Sequence, residues 1–90
     1  MIDKAYIPKQ RTDIALQEID GESLILDNSN EVIHQLNDTA TFIWQHCDGI
    51  NSISEIVSHV IDHYLIAEED ALSDVENVIT NFKSLNLLDD

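Results

Sequence analysis

Basic side chains are nearly missing from this sequence. Its 90 residues include four Lys or Arg, all near the ends: Lys4, Lys9, Arg11 and Lys83. Between Arg11 and Lys83 there is none, whereas of the 18 acids only Asp3, Asp89 and Asp90 lie outside that interval. The net charge is −14. Affinity for nucleic acid comes from Lys and Arg displacing phosphate counterions, and this chain has almost none to offer. The same field repels anionic lipid and attracts basic partners, or simply keeps a small protein soluble. Nucleic acid and membrane are therefore excluded as partners.

Other scarcities narrow the field further. The lone Cys47 cannot form an internal disulfide. The start, MIDKAYIPKQR, lacks the apolar run of a signal peptide, and no stretch approaches about 18 apolar residues. A cytoplasmic protein is the expectation. With two Gly in all, there is neither a Gly-rich phosphate loop nor a nucleophile elbow. A chain of this length makes one domain, with little room for both a core and a deep catalytic cavity.

What is present is pattern. Residues 1–12 hold most of the bases and Pro8 without a clear period, and are expected to form a flexible N-terminal arm ahead of a single domain at 13–90. DIALQEID (13–20) alternates as a strand, Gly21 and Glu22 read as a turn, and SLILD (23–27) is a second strand. NSN (28–30) turns the chain into EVIHQL (31–36), a third. The period then changes. Ala40, Ile43, Trp44 and Cys47 share one helical face, with Asn37 or Asp38 as cap and Gly49 as stop. Ser52 and Glu55 form an S-x-x-E capping box opening a second helix, with an apolar stripe from Ile53 to Leu65. Ala71, Leu72, Val75, Val78, Ile79, Phe82 and Leu85 define a third. The order βββααα predicts a winged-helix-like α+β domain: a three-stranded antiparallel sheet followed by three helices.

Catalytic and metal chemistry finds little purchase. His59 and His63 are four apart, but Val60 follows His59 where a zinc hydrolase carries its Glu, and two His make an incomplete site. Cys47 lies on the apolar stripe, beside His46 and Asp48, and reads as a small buried hydrophobe. LSD (72–74) reverses the order a carrier protein uses for its prosthetic serine. No catalytic residue, metal site or cofactor is assigned.

LNDTATFIWQHCDG (36–49), SISEIV (52–57) and DVENVITNFKSLNLL (74–88) together resemble the PqqD family. The matching residues are Leu36, Asn37, Thr39, Ala40, Ile43, Trp44, Asp48, Gly49, Glu55, Ile56, Asp74, Val75, Leu87 and Leu88. Asn86 stands where Gly often precedes the closing Leu-Leu, and Phe42 where relatives often carry a polar residue. The resemblance implies a peptide chaperone, or precursor-recognition element, of ribosomal peptide biosynthesis, as in the pyrroloquinoline quinone and lasso-peptide pathways. It would bind the leader segment of a precursor peptide and present it to a radical S-adenosylmethionine enzyme or a leader protease. The leader would add as a strand beside the third strand, 31–36, in the cleft facing the third helix.

On that reading the peptide-binding residues are Glu31, Val32, Ile33, His34, Gln35 and Leu36 of the strand. Asp74, Val75, Val78, Asn81 and Phe82 join them from the third helix, where Val78 and Phe82 also suit plain core. His34 and Leu36 should face the helices, with Ile33 and Gln35 facing away. The edge carries no Pro or Lys to guard it, so a monomer or a weak homodimer through this third strand is expected. One other class stays open, an acidic interaction or nucleic-acid-mimic protein that binds a basic partner; a winged-helix DNA regulator is set aside for want of bases.

Overall fold

The computed structural model describes residues 2–89, so Met1 and Asp90, the outer ends of the two expected spans, lie outside it. β1 (Ile14–Ile19), β2 (Glu22–Asp27) and β3 (Val32–Leu36) form an antiparallel meander in the order β1-β2-β3. α1 (Asp38–Gln45), α2 (Ile53–Tyr64) and α3 (Glu68–Ser84) follow. The expected βββααα order is the observed one.

Ile19 pairs with Glu22, leaving Asp20 and Gly21 as a two-residue turn with φ of 53° and 80°. Successive positive φ values mark the turn whose twist matches a hairpin, and Asp-Gly is a favoured pair for it. The turn therefore sits one residue earlier than expected, and Glu22 is already strand. A similar offset occurs at the next turn. Asp27 pairs with Val32, while Glu31 has φ 55°, so β3 begins at Val32 and Glu31 belongs to the turn.

The register sorts the side chains by face. Leu16, Ile25 and His34 form one cross-strand row, and Ser23 and Leu36 share the next on the same face. Ile25 is fully buried and Leu36 nearly so, which marks this as the face over the helices. Ala15, Leu26 and Ile33 form a row on the opposite face.

The passage from β3 into α1 needs no loop because Asn37 serves both. Its backbone is extended (φ −76°, ψ 176°), and its side-chain oxygen accepts from the Ala40 amide at 2.8 Å. Asp38 in the first turn complements the helix dipole. α1 ends at Gln45, capped by His46, earlier than the expected stop at Gly49. Cys47 is buried, its thiol donating to the Ile43 carbonyl at 3.3 Å. Burial pushes that thiol up to about 12, so it stays protonated and inert. The Ser52–Glu55 capping box is reciprocal, with bonds of 3.2 and 2.8 Å. Trp44 and Phe82 meet edge-to-face at 5.2 Å in the core, where Ile43, Ile56 and Ile79 are also fully buried.

The N-terminal segment is laid along the helices rather than extending as the expected arm. The amides of Ile53 and Gly49 donate to the carbonyls of Tyr6 (2.9 Å) and Pro8 (3.0 Å). Gln10 donates to the Cys47 carbonyl at 3.0 Å, Arg11 to that of Leu87 at 3.1 Å, and Pro8 is fully buried. Backbone pairing of this kind leaves no side-chain period to read.

Gly49 is fixed by this arrangement. Its φ is 79°, and a Cβ there would lie 3.3 Å from the Lys9 side chain. Gly49→Ala should cost roughly 1–2 kcal/mol through backbone strain and displacement of Lys9. Thermal melting of the variant checks this; an unchanged midpoint would mean the segment is not held there.

Candidate functional site

β3 has a partner, β2, on one side only; among the described residues no strand lies along its other side. An edge strand presents unpaired N–H and C=O groups outward, a template for another chain. The pairing of β2 with β3 runs without a bulge from Ser23–Leu36 to Asp27–Val32, and β3 holds neither Pro nor Lys. The edge is thus short, at five residues, but regular and unguarded.

The strand's side chains fall as its alternation predicts. Leu36 is buried and His34 half-buried on the helix face, whereas Ile33 is 65% exposed and Gln35 exposed on the other. Val32 shares the inner row yet is 40% exposed, because it lies at the sheet's corner. Leu36 offers a ligand almost no side-chain surface.

The α3 residues divide. Asp74 and Asn81 are exposed and Val78 half-buried, at spacings of four and three that put them on one helical face. Val75 and Phe82 are fully buried, Phe82 against Trp44. These two expected contact residues are core in this structure and present no surface to a peptide. The apolar stripe marks which residues turn inward, but the depth of each follows from what packs over it.

β3 packs on β2 and the start of α1, while α3 packs on α2 and α1. The recess that β3 itself lines is built from Leu26, Asp27, Asn28, Glu31, Val32 and Ile33, with no α3 residue among them. Leu26, Asp27 and Asn28 were missed by the sequence reading. The signal was there in SLILD, whose Leu24 and Leu26 put apolar groups on the face that an exposed antiparallel sheet usually keeps polar.

The turn above this recess is braced by charge. Asp27, only 2% exposed, accepts from the Asn30 side chain at 2.8 Å and pairs with Arg11 at 3.4 Å. Arg11 also pairs with Asp13 at 2.6 Å and donates to the Asn86 carbonyl at 2.8 Å. The Ser29 hydroxyl donates to Asp13. Asn30 first, then the Arg11 charge, hold the Asp27 carboxyl below its ordinary range; Ser29 and Arg11 do so for Asp13. One cation thus ties the N-terminal segment, the β2–β3 turn and the end of α3.

The histidines and Phe42 form a separate surface. The His63 ring stacks on Phe42 at 4.4 Å, His46 lies 4.5 Å away on a tilted plane, and His46 and His59 are 4.7 Å apart. Phe42 is half-buried by these rings and by Tyr64. Among the described residues no three His, Cys, Asp or Glu side chains converge as a metal-holding group. None of their helices is long and apolar enough to cross a membrane.

Comparison with known proteins places this geometry. The structure is similar to that of a lasso peptide synthetase B1 complexed with the leader peptide, at 24% identity and TM-score 0.81, covering 94% of this chain and 100% of that one. TbiB1 in complex with the TbiA(beta) leader peptide is similar at 18% identity and TM-score 0.78, with 90% and 94% covered. The PqqD truncation of Methylobacterium extorquens PqqCD, a stand-alone recognition element for ribosomally synthesised, modified peptides, matches at 15% identity and TM-score 0.82, with 100% and 96% covered. No curated protein matches the sequence. Residues 22–88 match the family model for coenzyme PQQ synthesis protein D, so the chain belongs to the PqqD family.

Proposed function

We propose that this protein is a non-catalytic peptide chaperone. It takes the leader segment of a ribosomally made precursor as a fourth strand along β3 and presents it to a modifying enzyme, either a radical S-adenosylmethionine enzyme or a leader protease. The observation that carries this reading is the open edge of β3, regular over five residues and anchored at its end by the Asn37 cap. Strand addition draws affinity from main-chain hydrogen bonds and specificity from pockets for alternate side chains. The exposed Ile33 and Gln35 and the half-buried His34 supply those side-chain contacts. Asp74, Val78 and Asn81 supply a polar-rimmed helical face with which the peptide's other side chains would be read. Family membership, and the leader peptides held by two of the similar proteins, support the same assignment.

A main-chain mechanism predicts sensitivity to proline. Gln35→Pro removes one strand N–H and should weaken binding of a precursor leader peptide that the wild type binds by about tenfold or more. Asp62→Ala, on the exposed side of α2, should leave it unchanged. Calorimetric titration checks both, with circular dichroism confirming the fold. Undiminished affinity in a folded Gln35→Pro variant would remove β3 from the binding site.

A further inference from the structure

The corner where the β2–β3 turn meets the open edge holds a feature that strand addition alone does not use. Leu26 and Ile33 are cross-strand neighbours and form the apolar floor of an open recess, completed by Asp27, Asn28, Glu31 and Val32. Its two carboxylates are in opposite situations. Asp27 is committed to Asn30 and Arg11, whereas Glu31 makes no hydrogen bond or ion pair among the described residues. Glu31 also sits at φ 55°, a backbone region that Gly, Asn or Asp enters at lower cost. A glutamate held at a cost where a turn residue would fit better, with its carboxylate unused beside wet apolar surface, is a candidate for recognition.

The chemistry that fits is a long side chain with an apolar stem and a cationic head. The stem would lie over Leu26 and Ile33 and the head would reach Glu31. Among the described residues no cation pairs with Glu31: residues 12–82 contain no Lys or Arg, and Arg11 is spent on Asp13, Asp27 and the Asn86 carbonyl. We propose that this recess is a specificity pocket for a Lys or Arg of the bound peptide, read at the Val32 end of β3. The proposal rests on the β3 reading and deepens it. Because Glu31 is exposed, the pocket selects among peptides more than it adds affinity; one exposed ion pair corresponds to roughly two- to fivefold.

A displayed library of random peptides, selected in parallel on the full chain and on Glu31→Gln and Glu31→Lys variants, tests this. Peptides selected on the wild type should carry Lys or Arg at one fixed position. That enrichment should fade on Glu31→Gln and turn to Asp or Glu on Glu31→Lys. Exchanging the basic residue of a selected peptide for Glu should weaken it two- to fivefold on the wild type and strengthen it on Glu31→Lys. A Glu31→Asn variant separates fold from recognition, since it should melt no lower than the wild type yet lose the basic preference. Selected peptides that shift the β3 amides but share no basic position, or a preference unchanged in Glu31→Gln, would overturn the pocket and leave β3 as the binding edge. Selected peptides that leave the β3 amides unmoved would overturn both.

Discussion

Phe82→Ala should destabilise the domain by about 3–5 kcal/mol, the usual cost of emptying a fully buried aromatic site. Phe82 is 0% exposed and meets Trp44 edge-to-face, so the loss combines transfer energy, a cavity beside Trp44 and the ring–ring contact. Against a total stability of about 5–15 kcal/mol for a domain, and less surface buried in one this small, that is a large fraction. Val78→Ala, one turn away and half-buried, should cost less than about 1.5 kcal/mol. Urea denaturation reads both. The contrast matters for function, because a Phe82 variant that fails to bind peptide would do so by unfolding, whereas Val78 can be trimmed with the fold intact. Equal costs at the two positions would mean that Phe82 is not the core residue described here.

Arg11→Ala should produce the next largest loss, together with earlier unfolding in acid. Asp27 is 2% exposed, and removing Arg11 leaves its charge with Asn30 alone and the Asn86 carbonyl without its donor. Stripping one partner from a buried charge is far more damaging than deleting an exposed pair. The more exposed Arg11–Asp13 contact adds little by itself. The pH dependence follows from the depressed native values of Asp13 and Asp27. Because the fold prefers their ionised forms, their contribution is complete above about pH 4 and is lost as pH falls through those native values. Protonating the many other acids also relieves self-repulsion, so the informative quantity is the difference between variant and wild type. That difference should be largest near neutral pH and shrink toward pH 2. Arg11→Lys should fall between the two, keeping the charge but not the forked geometry that reaches Asp13, Asp27 and Asn86 together. Thermal melts across that range check the prediction; an Arg11→Ala variant that melts like the wild type at neutral pH would contradict the brace.

Much of this architecture was legible in the residues because it is local. The Asn37 and Ser52–Glu55 caps depend on side chains within three positions of the groups they satisfy, so spacing alone located the helix starts. The facing of His34 and Leu36 against Ile33 and Gln35 followed from period two. What stayed hidden depends on distant partners. The N-terminal segment is held by backbone bonds to residues some 40 to 80 positions away, which leave no periodic trace. The positive φ at Glu31 shortens β3 by one residue, and nothing in a glutamate announces it. α1 ends at Gln45, ahead of the expected stop at Gly49, because the chain from His46 onward turns to meet Gln10 and Pro8. In the same way, periodicity found the inward stripe of α3 but could not separate Phe82, under Trp44, from Val78 at the rim.

The open edge of β3 is the claim on which the rest depends. Titrating the isotopically labelled full chain with a precursor leader peptide that it binds, while recording backbone amide shifts and hydrogen exchange, tests it directly. The predicted result is that the amides of 32–36 and the exposed face of α3 around Asp74, Val78 and Asn81 shift together. Exchange in β3 should slow as its free N–H groups find partners, while the Phe42–His63 surface stays still. Saturable binding of that leader with no shift or protection in 32–36 would contradict strand addition and move the binding site elsewhere on the molecule.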